Sequence, residues 1–389
     1  MRILLIGEYS NVHHTLCEAL RRAGHEVLLI SDGDGWKDYP RDIDLRRRMQ
    51  GPVGSACYLA KLVSLLPRLK NYDVVQLINP VFLDVKPRWN RWVFNYIKRH
   101  NRKVSVGCFG DDYYVISRMQ DDKYLRYTDF YAQGRPIDHA INRKRIAAWL
   151  QGPKAELTRY VMAKADALIA CLYEYYKVYA TEEFLPKLHY LPLPIHQQAV
   201  PLSSPVPVRT SGDLVAHPPR PLRILLAVQK QRGQMKGTDQ IVPLLHRLAQ
   251  EYPRNLELLR IESVPFEQYC REVEAADVIV DQLYSYTHAM GALEAMRRGK
   301  VAISGGELCD FGTFTMQAPC INLRPFEDEV NYRMLEETLL DRQKIARLSR
   351  DSQAYVKKYH DADVVAQRFV EIVTGNHSSE ASSRCPSHR

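Results

Sequence analysis

The chain has 389 residues and a net charge of +9, with 46% apolar and 25% charged residues. The length suits two domains, and the composition excludes a largely disordered chain. The excess of Lys and Arg indicates an anionic partner, which could be a phosphorylated ligand, an acidic lipid or a nucleic acid. The alternative is a solvated basic surface without such a partner.

The N-terminal residues predict a parallel β-sheet. Arg2–Ile6 is an apolar run that ends at Gly7, residues 14–23 have helical spacing, and residues 25–31 form a second apolar run. Strand, helix and strand within about thirty residues predict a βαβ unit. Further strands are predicted at 73–78, 103–107, 165–171 and 188–193.

Composition changes at residues 198–221, where Pro, Ser and small polar residues predict a linker. Leu222–Val228 then repeats the strand signature of the N-terminus and predicts a second doubly wound domain. Its later strands are predicted at 256–260, 278–283, 301–304 and 320–323, and its helices at 328–341, 343–359 and Ala362–Thr374. The predicted division is an N-terminal domain 1–198, a linker 199–221, a C-terminal domain 222–360, a helix 361–374 and a disordered tail 375–389.

Neither domain begins with a dinucleotide or P-loop fingerprint. The loop after the first strand holds a single glycine, Gly7, and the loop after Leu222–Val228 lacks both glycine patterns. NAD enzymes and P-loop NTPases are therefore disfavoured. In sheets of this kind, ligands bind outside the carboxyl ends of the strands, which predicts a site in the cleft between the domains.

Two segments of the second domain carry candidate chemistry. Arg232 and Lys236 precede a helix that Thr238 or Asp239 could cap, and two cations beside a helix N-terminus favour phosphate. The alternative is an ordinary solvated basic loop. The second segment is 281–300, in which Gly291 opens a helix and Glu294 lies in its first turn. Glu294 could face a ligand or could only cap the helix.

The sequence Glu294-Ala295-Met296-Arg297-Arg298-Gly299 resembles the donor-site signature of glycosyltransferase family 4, a retaining group-1 family with the GT-B fold. The resemblance implies two Rossmann-like domains and sugar transfer from a nucleotide-sugar donor to a glycan or lipid-linked acceptor, in cell-surface polysaccharide or lipopolysaccharide biosynthesis. By resemblance, Glu294 binds the ribose hydroxyls, while Arg232 and Lys236 hold the donor diphosphate. The segment 355–360 and the following helix resemble the closing segment of the family, which packs back on the first domain.

The sequence departs from the family pattern at Val301, which stands where the family has Pro, and at two further positions. Tyr286 stands at the first Glu of the family's Glu-x7-Glu pair, and Phe109 stands at a common His. Asp111 and Asp112 follow Phe109 and are acceptor-side candidates or, equally, caps of the next helix. The other candidates are Gly237, His288, Gly291, Ala292 and Tyr286 on the donor side, and Gly7 and Glu8 on the acceptor side.

We expect no cofactor and no metal, because fixed cations and helix dipoles can stabilise a leaving diphosphate. The spacing of Asp32-Gly33-Asp34 fits a metal motif, but its Gly-rich setting predicts a turn. Eight cysteines without a CxxC pair are typical of a reducing cytoplasm.

Basic and aromatic residues recur in the first domain at 46–48, 58–70 and 89–103. This mixture suits an anionic membrane surface, single-stranded nucleic acid, or an amphipathic core helix with a solvated basic face. Given the resemblance, we expect peripheral contact with the inner face of the cell membrane and no nucleic acid. A GT-B sugar-nucleotide epimerase and a non-catalytic sugar-nucleotide or nucleic-acid binder remain the alternative functions.

Overall fold

A computed structural model describes residues 1–197, 220–228, 233–262, 264, 266–307 and 318–375. The chain divides into two compact units. The first unit comprises Met1–Arg118, Arg143–Pro194 and the segment that begins at Ala362, and the second comprises Met119–Asn142 and Ile195–Asp361. The predicted tail beyond Gly375, and all of the predicted linker except Arg220 and Pro221, lie outside the described residues.

The described strands agree with most of the apolar runs. In chain order they are β1 (Arg2–Ile6), β2 (Glu26–Ser31), β3 (Ile43–Asp44), β4 (Val74–Leu77), β5 (Lys103–Cys108), β6 (Tyr131–Ala132), β7 (Arg135–Pro136), β8 (Ala167–Ala170), β9 (Leu188–Tyr190), β10 (Leu222–Val228), β11 (Leu256–Glu262), β12 (Val278–Val280) and β13 (Val301–Ile303). The predicted strand at 320–323 is wrong, since Ile321 makes only an isolated bridge to Ile303.

Helices connect these strands. They are α1 (Val12–Arg22), α2 (Gly51–Leu65), α3 (Pro87–His100), α4 (Tyr113–Arg118), α5 (Ala140–Trp149), α6 (Pro153–Lys164), α7 (Tyr173–Tyr179), α8 (Gly233–Lys236), α9 (Thr238–Glu251), α10 (Phe266–Ala275), α11 (Met290–Arg297), α12 (Asp328–Leu339), α13 (Arg342–Tyr359) and α14 (Ala362–Thr374). Within the described ranges, no helix is both long enough and apolar enough to cross a bilayer.

The sheet of the first unit has seven parallel strands in the order β3-β2-β1-β4-β5-β8-β9. Side chains of a strand alternate between the two faces of a sheet. Ile3 and Leu5 accordingly pack with the residues of α1 and α14. Ile6 of β1 instead lines a small apolar cavity with Leu62 of α2 and Val93 of α3. Helices therefore cover both faces, which explains why the strands read as continuous apolar runs.

The last helix, α14, belongs to the first unit. Its Phe369 is buried in the core that contains residues of α1 and β1. At its start, Arg22 of α1 pairs with Asp363 at 2.6 Å. This helix therefore completes the hydrophobic core of a unit whose other strands and helices end before residue 195.

The second unit contains a parallel sheet in the order β11-β10-β12-β13. Its core joins Leu222 and Ile224 of β10 to Leu245 of α9, Leu335 of α12 and Ile345 of α13. The segment Met119–Asn142, which includes the antiparallel hairpin β6–β7, also belongs to this unit. That segment lies inside the predicted N-terminal domain in sequence but packs with the second unit.

Candidate functional site

The carboxyl ends of the parallel strands β10, β12 and β13 lie along one edge of the sheet of the second unit. Lys236 follows β10, Asp281 follows β12 directly, and Ser304 follows β13. This edge is where a doubly wound sheet binds ligands. Arg232, which was predicted to act with Lys236, lies outside the described residues.

Lys236 forms an ion pair at this edge. Its Nζ lies 2.8 Å from Oδ1 of Asp281, and its side chain is 28% exposed whereas that of Asp281 is 6% exposed. The backbone N–H of Leu283 donates to the Lys236 carbonyl at 2.7 Å, which ties the two loops together. The ammonium group is therefore held in place and still reaches solvent.

Gly237 directly precedes α9 and adopts the left-handed conformation, with φ +72°. A Cβ atom at this position would lie 2.7 Å from Cβ of Leu283, so both the backbone conformation and the available space require glycine. The predicted cap at Thr238 or Asp239 is wrong, because Gly237 is the N-cap residue and no side chain caps the helix.

Glu294 lies in the second turn of α11, whereas the sequence predicted it in the first turn. The helix begins at Met290, and its first turn contains no acidic residue, so the expected favourable position beside the helix N-terminus is wrong. Gly291 and the fully buried Ala292 occupy that first turn instead. Gly291 lies against Asp281, because a Cβ atom at this glycine would be 3.5 Å from Oδ1 of Asp281.

Two arginines hold the Glu294 carboxylate. Arg297 donates to both of its oxygens, at 2.7 and 3.0 Å, and Arg298 donates to Oε1 at 2.9 and 3.1 Å. The side chain of Glu294 is 31% exposed. Its carboxylate is therefore oriented by the protein and remains accessible to a ligand.

Arg298 is itself buried and is fixed by a second carboxylate. Its guanidinium contacts the buried Glu274, whose backbone carbonyl accepts a hydrogen bond from Lys300 Nζ at 2.8 Å. The pKa of Arg298 is raised: burial opposes the shift, and the nearby Glu294 and Glu274 carboxylates outweigh it. Sequence analysis missed this network, although the consecutive Arg297 and Arg298 on a helix with Glu294 were a visible signal.

His288 is buried beside this site. Burial lowers its pKa to about 4, against the carboxylate of Asp281 and the Gly305 backbone, which raise it. The imidazole is therefore neutral at pH 7, and its ring meets that of Tyr355 edge-on at 5.9 Å. Within the described part of the chain, neither ring nitrogen makes a well-formed hydrogen bond.

Tyr286, at the family's Glu position, is buried and engaged within the protein. Its hydroxyl accepts a hydrogen bond from the N–H of Tyr127 at 3.0 Å, and the two rings stack 4.6 Å apart. The Tyr127 hydroxyl donates to Glu307 at 3.1 Å, and Arg324 also contacts Glu307. Tyr127 and Glu307 were missed, and no local pattern marks Tyr127 because it pairs with a residue far away in sequence.

In the first unit, Gly7 and Glu8 form the loop between β1 and α1. Gly7 has φ +89°, and a Cβ atom there would meet Cγ2 of Ile78 at 2.2 Å. The buried Glu8 carboxylate accepts the backbone N–H groups of His13 and His14 at 3.1 and 2.8 Å. Burial raises the pKa of Glu8 to about 8, although these N–H groups oppose the shift.

Asp111 and Asp112 differ in their surroundings. Asp111 is half-buried and pairs with Arg145 through two hydrogen bonds, at 2.7 and 2.8 Å. Asp112 is fully buried and accepts the N–H of Val115 at 2.9 Å and the hydroxyl of Tyr179 at 2.6 Å. Burial raises the pKa of Asp112 to about 6. Asp112 thus acts as the cap of α4, one of the two readings of the sequence.

His13 is a further buried imidazole that sequence analysis did not single out. Its Nδ1 donates to the carbonyl of Gly7 at 2.8 Å, and burial lowers its pKa to about 4. Its ring meets Phe109 edge-on at 6.3 Å. Phe109 therefore packs against an imidazole at the position where the family commonly has its own His.

Comparisons with known proteins identify the fold. No family model and no curated protein sequence matches the chain. Among solved structures, it is similar to sucrose-phosphate synthase from Thermosynechococcus elongatus, with 14% identity, TM-score 0.61 and coverage of 96% of this chain and 98% of that one.

Two further structures agree with this result. An alpha-glucosyltransferase in complex with UDP and a 13-mer DNA has 12% identity, TM-score 0.60 and coverage of 96% and 99% of the two chains. Anabaena HepE in complex with UDP-glucose has 12% identity, TM-score 0.55 and coverage of 96% and 100%. The predicted fold class, two Rossmann-like domains of the GT-B type, is confirmed.

Proposed function

Because the chain has the GT-B fold, we propose that it is a glycosyltransferase that moves a sugar from a nucleotide-sugar donor to a glycan or lipid-linked acceptor. Two of the similar structures carry UDP or UDP-glucose, which supports a nucleotide-sugar donor. We further propose that the product is a cell-surface polysaccharide or lipopolysaccharide, made at the cytoplasmic face of the membrane.

The observation that carries this proposal is a pair of held, partly exposed charges in the second unit: Lys236 at the carboxyl edge of the sheet, and Glu294 on α11, the helix whose first turn lies against Asp281. A nucleoside diphosphate offers an anion for the first and ribose hydroxyls for the second. Fixed groups of this kind bind without reorganising, which is how preorganised sites stabilise charge. Asp281 orients Lys236 in this proposal, and the two arginines orient Glu294.

The remaining candidates take narrower roles. On the donor side, Gly237, Gly291 and Ala292 let the backbone approach the diphosphate, whereas His288 and Tyr286 form the buried support of the loop. On the acceptor side, Asp111 presents the most accessible carboxylate, since Glu8 and Asp112 are buried among backbone N–H groups. We therefore assign acceptor contact to Asp111 and a supporting role to Gly7, Glu8 and Asp112.

In the proposed reaction, the bond between the anomeric carbon and the diphosphate oxygen breaks as the acceptor oxygen bonds to that carbon. The hydroxyl proton of the acceptor passes to the departing diphosphate, and configuration is retained. Lys236, together with Arg232, neutralises the charge that grows on the leaving group. We propose that no metal or other cofactor takes part, so that activity survives a chelator.

The test begins with thermal denaturation in the presence of UDP-, GDP-, ADP- and CMP-sugars, because a ligand that binds the native state raises the unfolding temperature. The donor thus found is used to measure transfer and hydrolysis. Lys236→Glu should lower the rate by about 10²–10³-fold, the size expected for a lost charge-stabilising group. Lys357→Glu, an equal charge change on exposed α13, is the control.

One observation favours a second function, a sugar-nucleotide binder without catalysis. The residue at the family's Glu position, Tyr286, is buried and bonded to Tyr127. A donor that raises the unfolding temperature but is neither transferred nor hydrolysed would support this second function. Failure of every nucleotide sugar to stabilise the protein would contradict both.

A further inference from the structure

Helix α2 exposes an unusual face to solvent. Its core contacts come from Gly54, Tyr58 and Leu62, whereas Val53 is 67% and Val63 56% exposed. Ala56, Cys57 and Ala60 lie between these two valines and are also exposed. At helical spacing these five residues form one apolar stripe.

Helix α3 runs beside α2. Near the start of both helices, Arg47 contacts Asp84 and Ser55, and at their ends Tyr96 donates to the carbonyl of Leu66 at 3.0 Å. Since the two helices also pack on the same sheet face, their outer surfaces adjoin. We call this outer surface the α2–α3 face.

The α3 part of the face is aromatic and basic. Trp92 is 44% exposed and stacks on Tyr96, and Tyr96 stacks on His100. Arg88 lies over the Trp89 ring, and Arg99 is exposed near the end of the helix. Trp and Tyr beside cations are the residues that membrane–water interfaces favour.

Positive charge predominates around the face. Between residues 46 and 103 the sequence holds thirteen Lys or Arg and only two acidic residues, Asp73 and Asp84, and neither α2 nor α3 contains an acid. Arg68 and Lys70, between the helices in sequence, are exposed and make no ion pair within the described residues. Four of the thirteen cations pair with acids, namely Arg46 with Asp38, Arg47 with Asp84, Arg48 with Asp44 and Lys98 with Asp166. The face therefore combines exposed apolar groups with an excess of positive charge, only part of which is paired.

We propose that the α2–α3 face binds the surface of an anionic lipid bilayer, with the α2 stripe and Trp92 entering the headgroup region and the cations contacting lipid phosphates. The charge complementarity selects an anionic surface, and the aliphatic stripe selects a surface with an apolar interior. This surface goes beyond the proposed transfer reaction and is independent of it.

Nucleic acid fits the face less well. Binding of single strands uses free aromatic rings on which bases stack, but Trp92, Tyr96 and His100 already stack on one another. Two exposed valines would gain nothing from a phosphodiester backbone. A second copy of this chain fits poorly too, because two faces with the same positive charge would repel.

The experiment is co-sedimentation of the full chain with vesicles of phosphatidylcholine, with and without phosphatidylglycerol. We expect binding only to the anionic vesicles, weakening as salt rises. The double variant Arg68→Glu/Lys70→Glu should reduce the partition coefficient more than tenfold, since each cation near the surface contributes about fivefold. Val53→Asp/Val63→Asp should reduce it by about tenfold or more.

Matched controls separate the face from general effects. Val330→Asp changes an equally exposed valine, 55% exposed on α12, and Arg350→Glu/Lys357→Glu reverses two exposed cations on α13. Both controls should bind like wild type. Unfolding temperatures of all variants check that each is folded, and transfer to a soluble acceptor checks the proposed function separately.

Four results would overturn the proposal. The first is that the wild-type protein fails to bind anionic vesicles, and the second is that it binds neutral vesicles equally well. The third is that the control variants lose as much binding as the α2–α3 face variants, and the fourth is that both face variants are folded and bind as strongly as wild type. If the same variants abolish binding to a single-stranded oligonucleotide rather than to vesicles, the partner is nucleic acid. If wild type is a dimer that Val53→Asp/Val63→Asp dissociates, the partner is a second copy.

Discussion

The two parallel sheets of this chain use the charged residues at their carboxyl edges in different ways. In the first unit, Glu8 and Asp112 turn inward and accept backbone N–H groups of the helices that follow them. In the second, Lys236 and Glu294 pair with other charged side chains and stay partly exposed. The same topology therefore provides buried helix caps in the first unit and charges that a ligand can reach in the second.

This difference explains why the donor site is assigned to the second unit. A carboxylate whose oxygens are occupied by buried N–H groups cannot take a new partner without losing those bonds. The Glu294 carboxylate is held by two arginines but is itself 31% exposed, so a ligand can still reach it. Single substitutions can measure how strongly each unit depends on these contacts.

The largest effect should follow from Arg298→Ala in the second unit. The change leaves Glu274 buried without its guanidinium partner and removes one of the two anchors of Glu294. Loss of one member of a buried ion pair costs about 3–5 kcal/mol. We expect the free energy of unfolding in urea to fall by about that amount.

Arg247→Ala supplies the control for this prediction. Arg247 also pairs with a Glu on its own helix, but both side chains are largely exposed. The change should barely move the urea midpoint. Equal losses for the two variants would mean that the network around Arg298 is not specially buried or coupled.

The next largest effect is the pH dependence of stability that arises from one buried imidazole in each unit, His13 and His288. Burial lowers the pKa of His13 and of His288 to about 4, so between pH 6.5 and 4 the folded state binds fewer protons than the unfolded one. The free energy of unfolding must therefore fall as pH falls through this window, by about 3 kcal/mol for each group.

His13→Asn and His288→Asn test this dependence separately. Urea denaturation is repeated from pH 7 to pH 4. In each variant the free energy of unfolding should fall by about 3 kcal/mol less over this range than it does in wild type. If His288→Asn leaves the pH dependence unchanged while His13→Asn weakens it, then protonation of His288 costs no folding free energy. Water would in that case reach the His288 ring.

The strands could be predicted from the sequence because parallel strands buried on both faces are continuous apolar runs, as in Arg2–Ile6 and Leu222–Val228. A motif singled out Lys236 and Glu294 as candidates, although it placed Glu294 in the first turn of its helix, where it does not lie. Their partners could not, because Asp281 reaches Lys236 across 45 positions and Glu274 reaches Arg298 across 24. Spacing along the chain contains no information on such pairs.

The N-terminal ends of helices were also predicted incorrectly from the sequence. The sequence offered Thr238 and Asp239 as caps, yet the N-cap residue is Gly237, which adopts the left-handed conformation, and no side chain caps the helix. Likewise, Met290 starts α11 early enough to move Glu294 out of the first turn. A donor or acceptor in the sequence predicts a cap only when the backbone places it at the boundary.

A smaller effect should follow from Gly237→Ala. The new Cβ atom would require a left-handed alanine and would collide with Leu283, so we expect a loss of about 1–3 kcal/mol in the free energy of unfolding. Gly233→Ala, whose Cβ atom would make only an ordinary 3.5 Å contact with Thr238, is the control and should be neutral or slightly stabilising. Similar losses at both positions would show that the loop tolerates no side chain at all.

The smallest effect returns to the first unit, where Tyr179 donates to buried Asp112 at 2.6 Å. Tyr179→Phe removes a hydroxyl that holds the Asp112 pKa down, and the free energy of unfolding should fall by about 1–2 kcal/mol at pH 7. Because the folded pKa of Asp112, about 6, is already above its ordinary value, stability from this group is lost as pH rises through 6. Raising that pKa further extends the loss to higher pH, so the difference from wild type should grow between pH 5 and pH 8.

Tyr114→Phe, in the same aromatic cluster, is the control and should show no such growth with pH. If it does, the aromatic cluster and not the Asp112 carboxylate is responsible, and this part of the first unit is held by packing instead of by hydrogen bonds.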